Sequence, residues 1–580
     1  MANQSKLQSF RNCIVFHFGI QVPQNHKQAM ELDARNGNTL WRDSERIELR
    51  QINEYKAFGD LGFRVPAPKG YKRIRVHMVY AIKHDLRRKS RLVADGNLTE
   101  VPLASVYSSV VSLRGLRTTI FLAELNKMEL WCTDIGNAYL EAKTLEKIYI
   151  VAGNEFGPLE GHTLVIQRAL YGLRSSGARW WERLSDVLIE MGFTPSRAES
   201  DIWMRECNGD HYEYIARYVD DLAIASRDPK AITDELEGKY SFKLKGTGPI
   251  SYHLGNDFYR DKEGVLCMAP KKYIERMIDT YFQIFGVKPR TVYTSPLEKG
   301  DHPELDASDE LDLDGIRNYQ SLIGGAQWVI SLGRFDIATA IMTLSSFRAA
   351  PRLGHMERLR RTYGYITRMK QGAIRFCTEV PDYSSIPLPG HSWDKTVYGE
   401  VRESVPDNAP KPLGNPLLMS TYVDANLMHD MTSGKSVTAV LHFYNQTPMD
   451  FYTKKQGTVE TATYGSEYVA ARIATEQIMD HRASLRYLGV PLLGATYLFG
   501  DNQSVVDSSM KIASKLHKRH VLLSYHRVRE AIAAGILHFI HIPGAINPAD
   551  ILSKHWGYTQ VKTMLKALLF WEGDTSNIVE

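Results

Sequence analysis

Two adjacent aspartates, Asp220 and Asp221, stand between the apolar runs Tyr214-Ile215-Ala216 and Leu222-Ala223-Ile224-Ala225. Runs that short, without helical spacing, predict two strands with the carboxylates at the tip of a hairpin. Like charges so close resist desolvation unless a cation sits between them. Divalent ions clamped by carboxylates serve in-line nucleotidyl transfer, so Tyr218-Val219-Asp220-Asp221 is a candidate site for that chemistry. Alone, a Tyr-x-Asp-Asp string fits a solvated turn equally well. A third acid, Asp134, closes the strand-like run from Met128 to Thr133. Gly136 follows it and permits a sharp change of direction. Its interest depends on whether folding brings it to Asp220 and Asp221.

Four further acids occur in distinct settings nearer the C-terminus. Asp424 ends the strand-like Leu418–Val423 and Asp501 ends Thr496–Gly500, while Glu467 opens a long helical pattern. On that helix Ala470, Ala474, Ile478, Leu485 and Leu488 share one face, and Glu467 projects from its edge. Pro548 and Asp550 fall in the first turn of a last helical pattern, where an aspartate is usually a cap.

The elements that must position these acids follow from periodicity. From Tyr71 to Arg91 basic and apolar residues alternate, which predicts a strand-borne basic face including Lys89 and Arg91. Such a face suits a triphosphate or a nucleic-acid backbone, and equally a soluble surface with snorkelling side chains. A helix is predicted over 105–125. In the loop Leu170–Gly177 the glycines lead into a helical spacing of Trp181, Leu184, Leu188 and Met191, and Arg174 at the helix start could touch phosphate. Residues 228–285 read as a small helical subdomain. The stretch 379–416, rich in Pro, Gly, Ser and Asp, reads as a linker.

Composition limits the alternatives. At 580 residues the chain exceeds one core, and its 43% hydrophobic and 24% charged content is that of a soluble globular protein. A formal charge of only +5 means that any nucleic-acid surface comes from local clustering. The five cysteines are scattered without a Cys-x-x-Cys pair, which argues against a zinc site and a secreted disulfide framework. No apolar run reaches the length of a membrane span, and Ile14-Val15-Phe16 is too short for a signal core. An intracellular protein with no membrane partner is expected.

The order of motifs is more specific than any one of them. Asp134-Ile-Gly-Asn-Ala-Tyr139, Leu170-Tyr-Gly-Leu-Arg-Ser-Ser176 and Tyr218-Val-Asp-Asp221 together resemble the palm of the copia-type LTR retrotransposon reverse transcriptases. Lys89-Ser-Arg-Leu-Val-Ala-Asp-Gly96 resembles that family's basic fingers strand, and Tyr252-His-Leu-Gly255 its strand after the palm hairpin. Tyr319–Gly325 with Arg334-Phe-Asp-Ile337 resembles the segment before ribonuclease H, and Val22-Pro23 through Trp41 the lead-in. Asp501-Asn-Gln-Ser504 and Ala549-Asp-Ile-Leu-Ser-Lys554 resemble strings of the family's ribonuclease H domain. One departure is Arg174-Ser175-Ser176-Gly177, where the family commonly has Lys-Gln-Ser-Pro.

The resemblance implies an α+β and α/β multidomain fold, a right-hand polymerase followed by a ribonuclease H-like domain. Its expected parts are a helical lead-in (1–60), fingers, palm and thumb (61–285), a connection (286–378), the linker (379–416) and ribonuclease H (417–580). It implies that Asp134, Asp220 and Asp221 hold two Mg²⁺ or Mn²⁺ in one site, and that Asp424, Glu467, Asp501 and Asp550 hold two in the other. Tyr139 would stack under the incoming sugar, with Lys89, Arg91, Arg174 and Tyr218 as further substrate contacts. The basic run Lys511, Lys515, His517, Lys518, Arg519, His520 would grip the hybrid backbone. Implied partners are an RNA template, a DNA primer, the RNA–DNA hybrid and dNTPs, with the element's capsid and integrase as further candidates. The implied location is cytoplasmic virus-like particles, with the nucleus as an alternative. No Asp-Thr/Ser-Gly protease signature occurs, so the polymerase end of a polyprotein is expected. Two other readings stay open: a decayed or repurposed remnant that binds nucleic acid, and a nuclease whose polymerase half is structural.

Overall fold

The computed structural model describes residues 15–17, 20–83, 86–99, 106–388, 390, 392–516, 519–557 and 569. Two helices, α1 (His26–Asn36) and α2 (Leu40–Glu54), come first. Thr39 offers α2 no side-chain cap, and the buried Asp33 supplies one by accepting the N–H groups of Trp41 and Arg42 at 3.1 and 2.9 Å. A carboxylate there also meets the positive end of the helix dipole. The basic alternation folds as a hairpin of β1 (Val76–Ile82) and β2 (Arg88–Ala94). Ser90, Leu92 and Ala94 are buried, leaving Lys89 and Arg91 on the opposite face, which is the period-two geometry of a strand.

The expected helix over 105–125 is shorter: α3 spans Leu113–Leu125, and Ser105 lies outside the described residues. Ser112 starts it by accepting the Gly115 N–H at 2.9 Å, and just upstream the Val111 N–H bonds to the Arg217 carbonyl. Extended backbone is thereby held alongside the sheet. That six-stranded sheet uses β3 (Glu129–Ile135), β4 (Ile202–Cys207), β5 (His211–Tyr218), β6 (Asp221–Ser226) and β7 (Leu244–Pro249), with Thr194–Pro195 at one edge. Its order is edge-β4-β5-β6-β3-β7, all antiparallel. Tyr214, Ala216, Ala223 and Ala225 pack with α3, whereas Ile215, Leu222 and Ile224 pack with α4 (Ser176–Glu190). Alternation thus buries both faces, and the strands read as continuous apolar runs for that reason.

Residues 228–285 are less helical than their charge pattern predicts. After a helix over Pro229–Gly238 come β7 and three strands of a small four-stranded sheet, before α5 (Lys271–Phe285). Hydrophobic residues of α5 pack into the same core as α6 (Leu313–Ser331) and α7 (Leu353–Arg368). The Arg334-Phe-Asp-Ile337 string is explained by packing: Arg334 and Asp336 form a fully buried pair at 2.8 Å, and the Tyr365 hydroxyl donates to the same carboxylate at 2.7 Å.

The C-terminal unit is a five-stranded sheet of β8 (Met419–Asp430), β9 (Lys435–Tyr444), β10 (Thr447–Lys455), β11 (Thr496–Gly500) and β12 (Leu537–His541). The order is β10-β9-β8-β11-β12, with the first three antiparallel and β8, β11 and β12 parallel. Helices α8 (Thr463–Tyr487) and α9 (Leu522–Ala533) pack on it. This is an α/β sheet-and-helix arrangement, here following a mixed α/β first half.

Residues 379–416 carry no helix or strand among those described, yet the stretch is fixed in place. Glu403 pairs with Arg482 and Arg486, and Asn415 bonds to Leu125 and Asn126 of the first half. One core also crosses the junction: Phe121 meets Tyr444 edge-on at 5.7 Å. The buried Arg117 donates to the Met449 carbonyl at 2.7 Å and the Ser331 carbonyl at 2.9 Å.

Candidate active sites

The first cluster sits where β5 turns into β6. Tyr218 pairs with Asp221, so Val219 and Asp220 form a two-residue turn. Val219 has φ +58°, which is unfavourable for a β-branched residue by roughly 1–3 kcal/mol. Two contacts hold it there: Trp180 Nε1 donates to the Val219 carbonyl, and the Ile135 N–H donates to the Asp220 carbonyl, each at 2.8 Å. Asp134 is directly opposite Asp221 across the β3–β6 pair, with Lys245 opposite Asp134 on the other side. The structure therefore brings all three acids to one sheet end. Burial raises Asp220, and the Asp134 charge raises it further, while Arg91 and Lys89 oppose. Burial, then Asp220 and Asp134, push Asp221 up to about 7. Such a cluster, too negative for its surroundings, is chemically fitted to hold divalent cations.

Tyr139 follows β3 after a left-handed Asn137. Its ring meets Tyr171 edge-on at 4.9 Å, and the Arg91 guanidinium lies 4.7 Å over the Tyr171 ring. Burial and the nearby Asp220 charge raise the Tyr139 hydroxyl, with Arg91 opposing. Lys89, Arg91 and Lys245 line one cleft with Tyr171 and Asn137. Lys89 is lowered by burial and then by the charges of Arg91 and Lys83. Tyr218 is half-buried against the core. Arg174 is exposed but engaged, donating to the carbonyls of Gly96 at 3.0 Å and Asn97 at 3.3 Å. It braces the loop after β2.

The second group of acids lies on four elements. Asp424 in β8 and Glu467 in α8 are buried, Asp501 follows β11, and Asp550 opens the four-residue helix α10 (Asp550–Ser553). Pro548 precedes α10 and lies outside its first turn. Carboxylate oxygens of Asp424, Glu467 and Asp501 lie within 4.8 Å of one another, a spacing that fits a divalent ion. Burial pushes Glu467 well above the usual carboxylate range, with Asp424 and Asp501 adding to it. Burial and then Asp424 raise Asp501. Asp550 is pushed up to about 6 by burial and the Asp424 charge, against Lys554.

Two further groups stand beside this cluster, Lys554 within the Ala549–Lys554 string and His541 outside any motif. Lys554 bonds to Asp550 and stands 3.5 Å from Asp424, whose other close partner is the Ser553 hydroxyl. His541, exposed at the end of β12, is bonded through Nε2 to the Asp501 carbonyl at 3.1 Å. Only the parallel β11–β12 pairing, which sets His541 beside Gly500, could have signalled it. In the expected hybrid-gripping run, Lys511 pairs with Asp507 and His520 with Glu460, while His517 and Lys518 lie outside the described residues. His526 is bonded to the Tyr398 hydroxyl.

Residues 63–296 match the family model described as "Reverse transcriptase (RNA-dependent DNA polymerase)". This segment belongs to the reverse transcriptase family. The copia-type resemblance read from the motifs agrees with the curated relatives. The chain is 23% identical over 558 residues to the Retrovirus-related Pol polyprotein from transposon TNT 1-94 of Nicotiana tabacum, covering 92% of this chain and 38% of the relative. It is 23% identical over 473 residues to that from transposon RE1 of Arabidopsis thaliana, covering 81% of this chain and 29% of the relative. The chain therefore spans well under half the length of these polyproteins. Among solved structures, a foamy viral protease-reverse transcriptase in complex with double-stranded DNA overlaps 86% of this chain and 69% of its own, with 11% identity and a TM-score of 0.46. Ribonuclease H1 of Halobacterium salinarum overlaps 23% of this chain and 93% of its own, with 18% identity and a TM-score of 0.19. Asp134, Asp220 and Asp221 all fall within the matched residues. Among the described residues no helix is long and apolar enough to cross a membrane.

Proposed function

We propose that the chain is an RNA- and DNA-directed DNA polymerase joined to a ribonuclease H that cleaves the RNA of RNA–DNA hybrids. The observation that carries this reading is the pair of convergent carboxylate clusters, one in each half. Asp134, Asp220 and Asp221 would hold two Mg²⁺ or Mn²⁺ in the first, and Asp424, Glu467, Asp501 and Asp550 two in the second. When bound, such ions activate the attacking oxygen and stabilise the leaving one.

The chain's own residues do the positioning. The anchored Val219 turn presents Asp220 beside its two partners. Tyr139, wedged between Asp220 and Tyr171, offers a flat surface to a deoxyribose and crowds a 2′-hydroxyl. Lys89 and Arg91 face the same cleft with positive charge suited to a triphosphate. An RNA template, a DNA primer and dNTPs are the substrates this arrangement suits.

A remnant that binds nucleic acid without catalysis is the second reading. It is favoured by Arg174, whose guanidinium is bound to loop carbonyls rather than free for substrate. Primer extension on poly(rA)/oligo(dT) with Mg²⁺ or Mn²⁺ separates the two. We expect extension by the parent chain, none with Asp220→Asn, and full extension but no hybrid cleavage with Glu467→Gln. No extension with either metal would establish the remnant reading.

A further inference from the structure

The far end of the palm hairpin, opposite the Val219 turn, carries a different group of side chains. Cys207 ends β4 and His211 begins β5, and the two are register partners across the turn Asn208-Gly209-Asp210. Asn208 and Gly209 both have positive φ, and the Asp210 N–H closes the turn on the Cys207 carbonyl. Register partners share a face of the sheet, and so does Glu213, two residues beyond His211. The Cys207 sulfur, a His211 ring nitrogen and a Glu213 carboxylate oxygen all lie within 4.8 Å of one another.

His211 is 1% exposed, and its two nitrogens are treated differently. Nδ1 is bonded to the Asp210 carboxylate at 2.5 Å, whereas the buried Nε2 has no hydrogen-bond partner among the described residues. A carboxylate at Nδ1 favours the proton there and leaves Nε2 with a lone pair to donate. This carboxylate–histidine pairing also orients histidine ligands in metal sites. A buried nitrogen lone pair with nothing to accept from is otherwise costly. Glu213 is positioned by Arg205 at 2.8 Å and by the Ser226 hydroxyl at 2.5 Å, and Asp210 by Arg227 at 2.9 Å. Cys207 is a free, half-buried cysteine.

We propose that Cys207, His211 and Glu213 form a binding site for a thiophilic divalent cation of the zinc class, separate from both carboxylate clusters. One thiolate, one imidazole and one carboxylate are a donor set that selects zinc over magnesium. Cysteine spacing gives no sign of such a site, because these ligands would pair across a hairpin instead of along a Cys-x-x-Cys turn. The role is structural. The same turn receives the 379–416 stretch, with the Gly414 N–H donating to the Asp210 carbonyl at 2.8 Å and the Tyr212 hydroxyl to the Lys411 carbonyl at 3.0 Å. A cation would tie down the end of the sheet on which that stretch docks.

The test uses the purified full chain titrated with Co²⁺ and, separately, Zn²⁺. Bound Co²⁺ should give a thiolate-to-metal charge-transfer band, which the oxygen-only carboxylate clusters cannot produce. The band should be lost in Cys207→Ser and His211→Asn and kept in Cys267→Ser. In the unmutated chain, one equivalent of Zn²⁺ should slow alkylation of Cys207 at least tenfold, read by peptide mass, while Cys377 reacts unchanged. Absence of the band with no protection of Cys207, or a band that survives Cys207→Ser, would overturn the proposal.

Discussion

Asp221 and Asp134 face each other across neighbouring antiparallel strands, two like charges at the closest lateral spacing a sheet allows. Such pairs destabilise the protein that carries them. Asp221 is raised to about 7, so the folded state favours its neutral form. Stability from this group is full below about pH 4 and is lost as pH rises through 7. Asp221→Asn should therefore stabilise the chelator-treated protein by about 1 kcal/mol at pH 8, measured by urea unfolding, while reducing primer extension ~10²-fold or more. A less stable variant under those conditions would contradict the mutual repulsion.

Tyr139 makes a second prediction. Tyr139→Val should raise use of UTP relative to dTTP on poly(rA)/oligo(dT) by up to about 10²-fold in kcat/KM. Tyr139→Phe keeps the edge contact with Tyr171 and should leave the ratio near the parent value. Equal ratios in all three proteins would reduce Tyr139 to a packing residue.

Lys554 stands among the acids of the second cluster as a resident cation. Lys554→Met removes one positive charge beside Asp424 and Asp550, so Mn²⁺ should bind this cluster roughly 3- to 10-fold more tightly. Calorimetry in an Asp220→Asn/Asp221→Asn background confines the titration to the second half. Unchanged affinity would mean that Lys554 does not compete for the site.

Burial depresses four histidines furthest: His253 and His429 to about 4, His442 and His555 to about 3. The neutral His442 ring bonds to the Thr421 hydroxyl at 2.9 Å and to Gln477 at 3.1 Å. Because these values are lowered, stability is full above about pH 6.5 and falls as the unfolded chain takes up protons below it. The loss should be on the order of 1 kcal/mol per histidine for each pH unit below 6. Urea unfolding of an Asp221→Asn/Glu467→Gln chain, which removes two opposing carboxylate contributions, should show this slope, and adding His442→Asn should make it shallower. A flat profile from pH 7 to 5 would refute it.

Most of these acids were legible because they stand near the boundary of a strongly periodic element, but Asp424, expected to end its strand, lies inside β8, which runs on to Asp430. Alternation marks the strands around Asp220, and helical spacing marks the face edge that carries Glu467. What stayed hidden depends on register and burial. Arg174 looked free beside a glycine loop, but only the folded chain shows the Gly96 and Asn97 carbonyls waiting for it. The 105–125 helix was set too early because Ser112, not Ser105, meets a Gly N–H three residues on. Strands within 228–285 are short and charged, so their pattern imitates an exposed helix. His541 and the Cys207–His211 pair gain their neighbours only once strands are aligned, whereas Lys554 meets Asp550 one helical turn away.

The core shared across the junction also constrains how such a protein can be made and lost. Severing the halves would turn Phe121 and Tyr444 toward water and leave the Arg117 charge stranded in an apolar wall. Neither part could then be shuffled by recombination as an independent module. A frameshift in the distal reading frame would leave the proximal product sticky and prone to aggregate, so both would decay together.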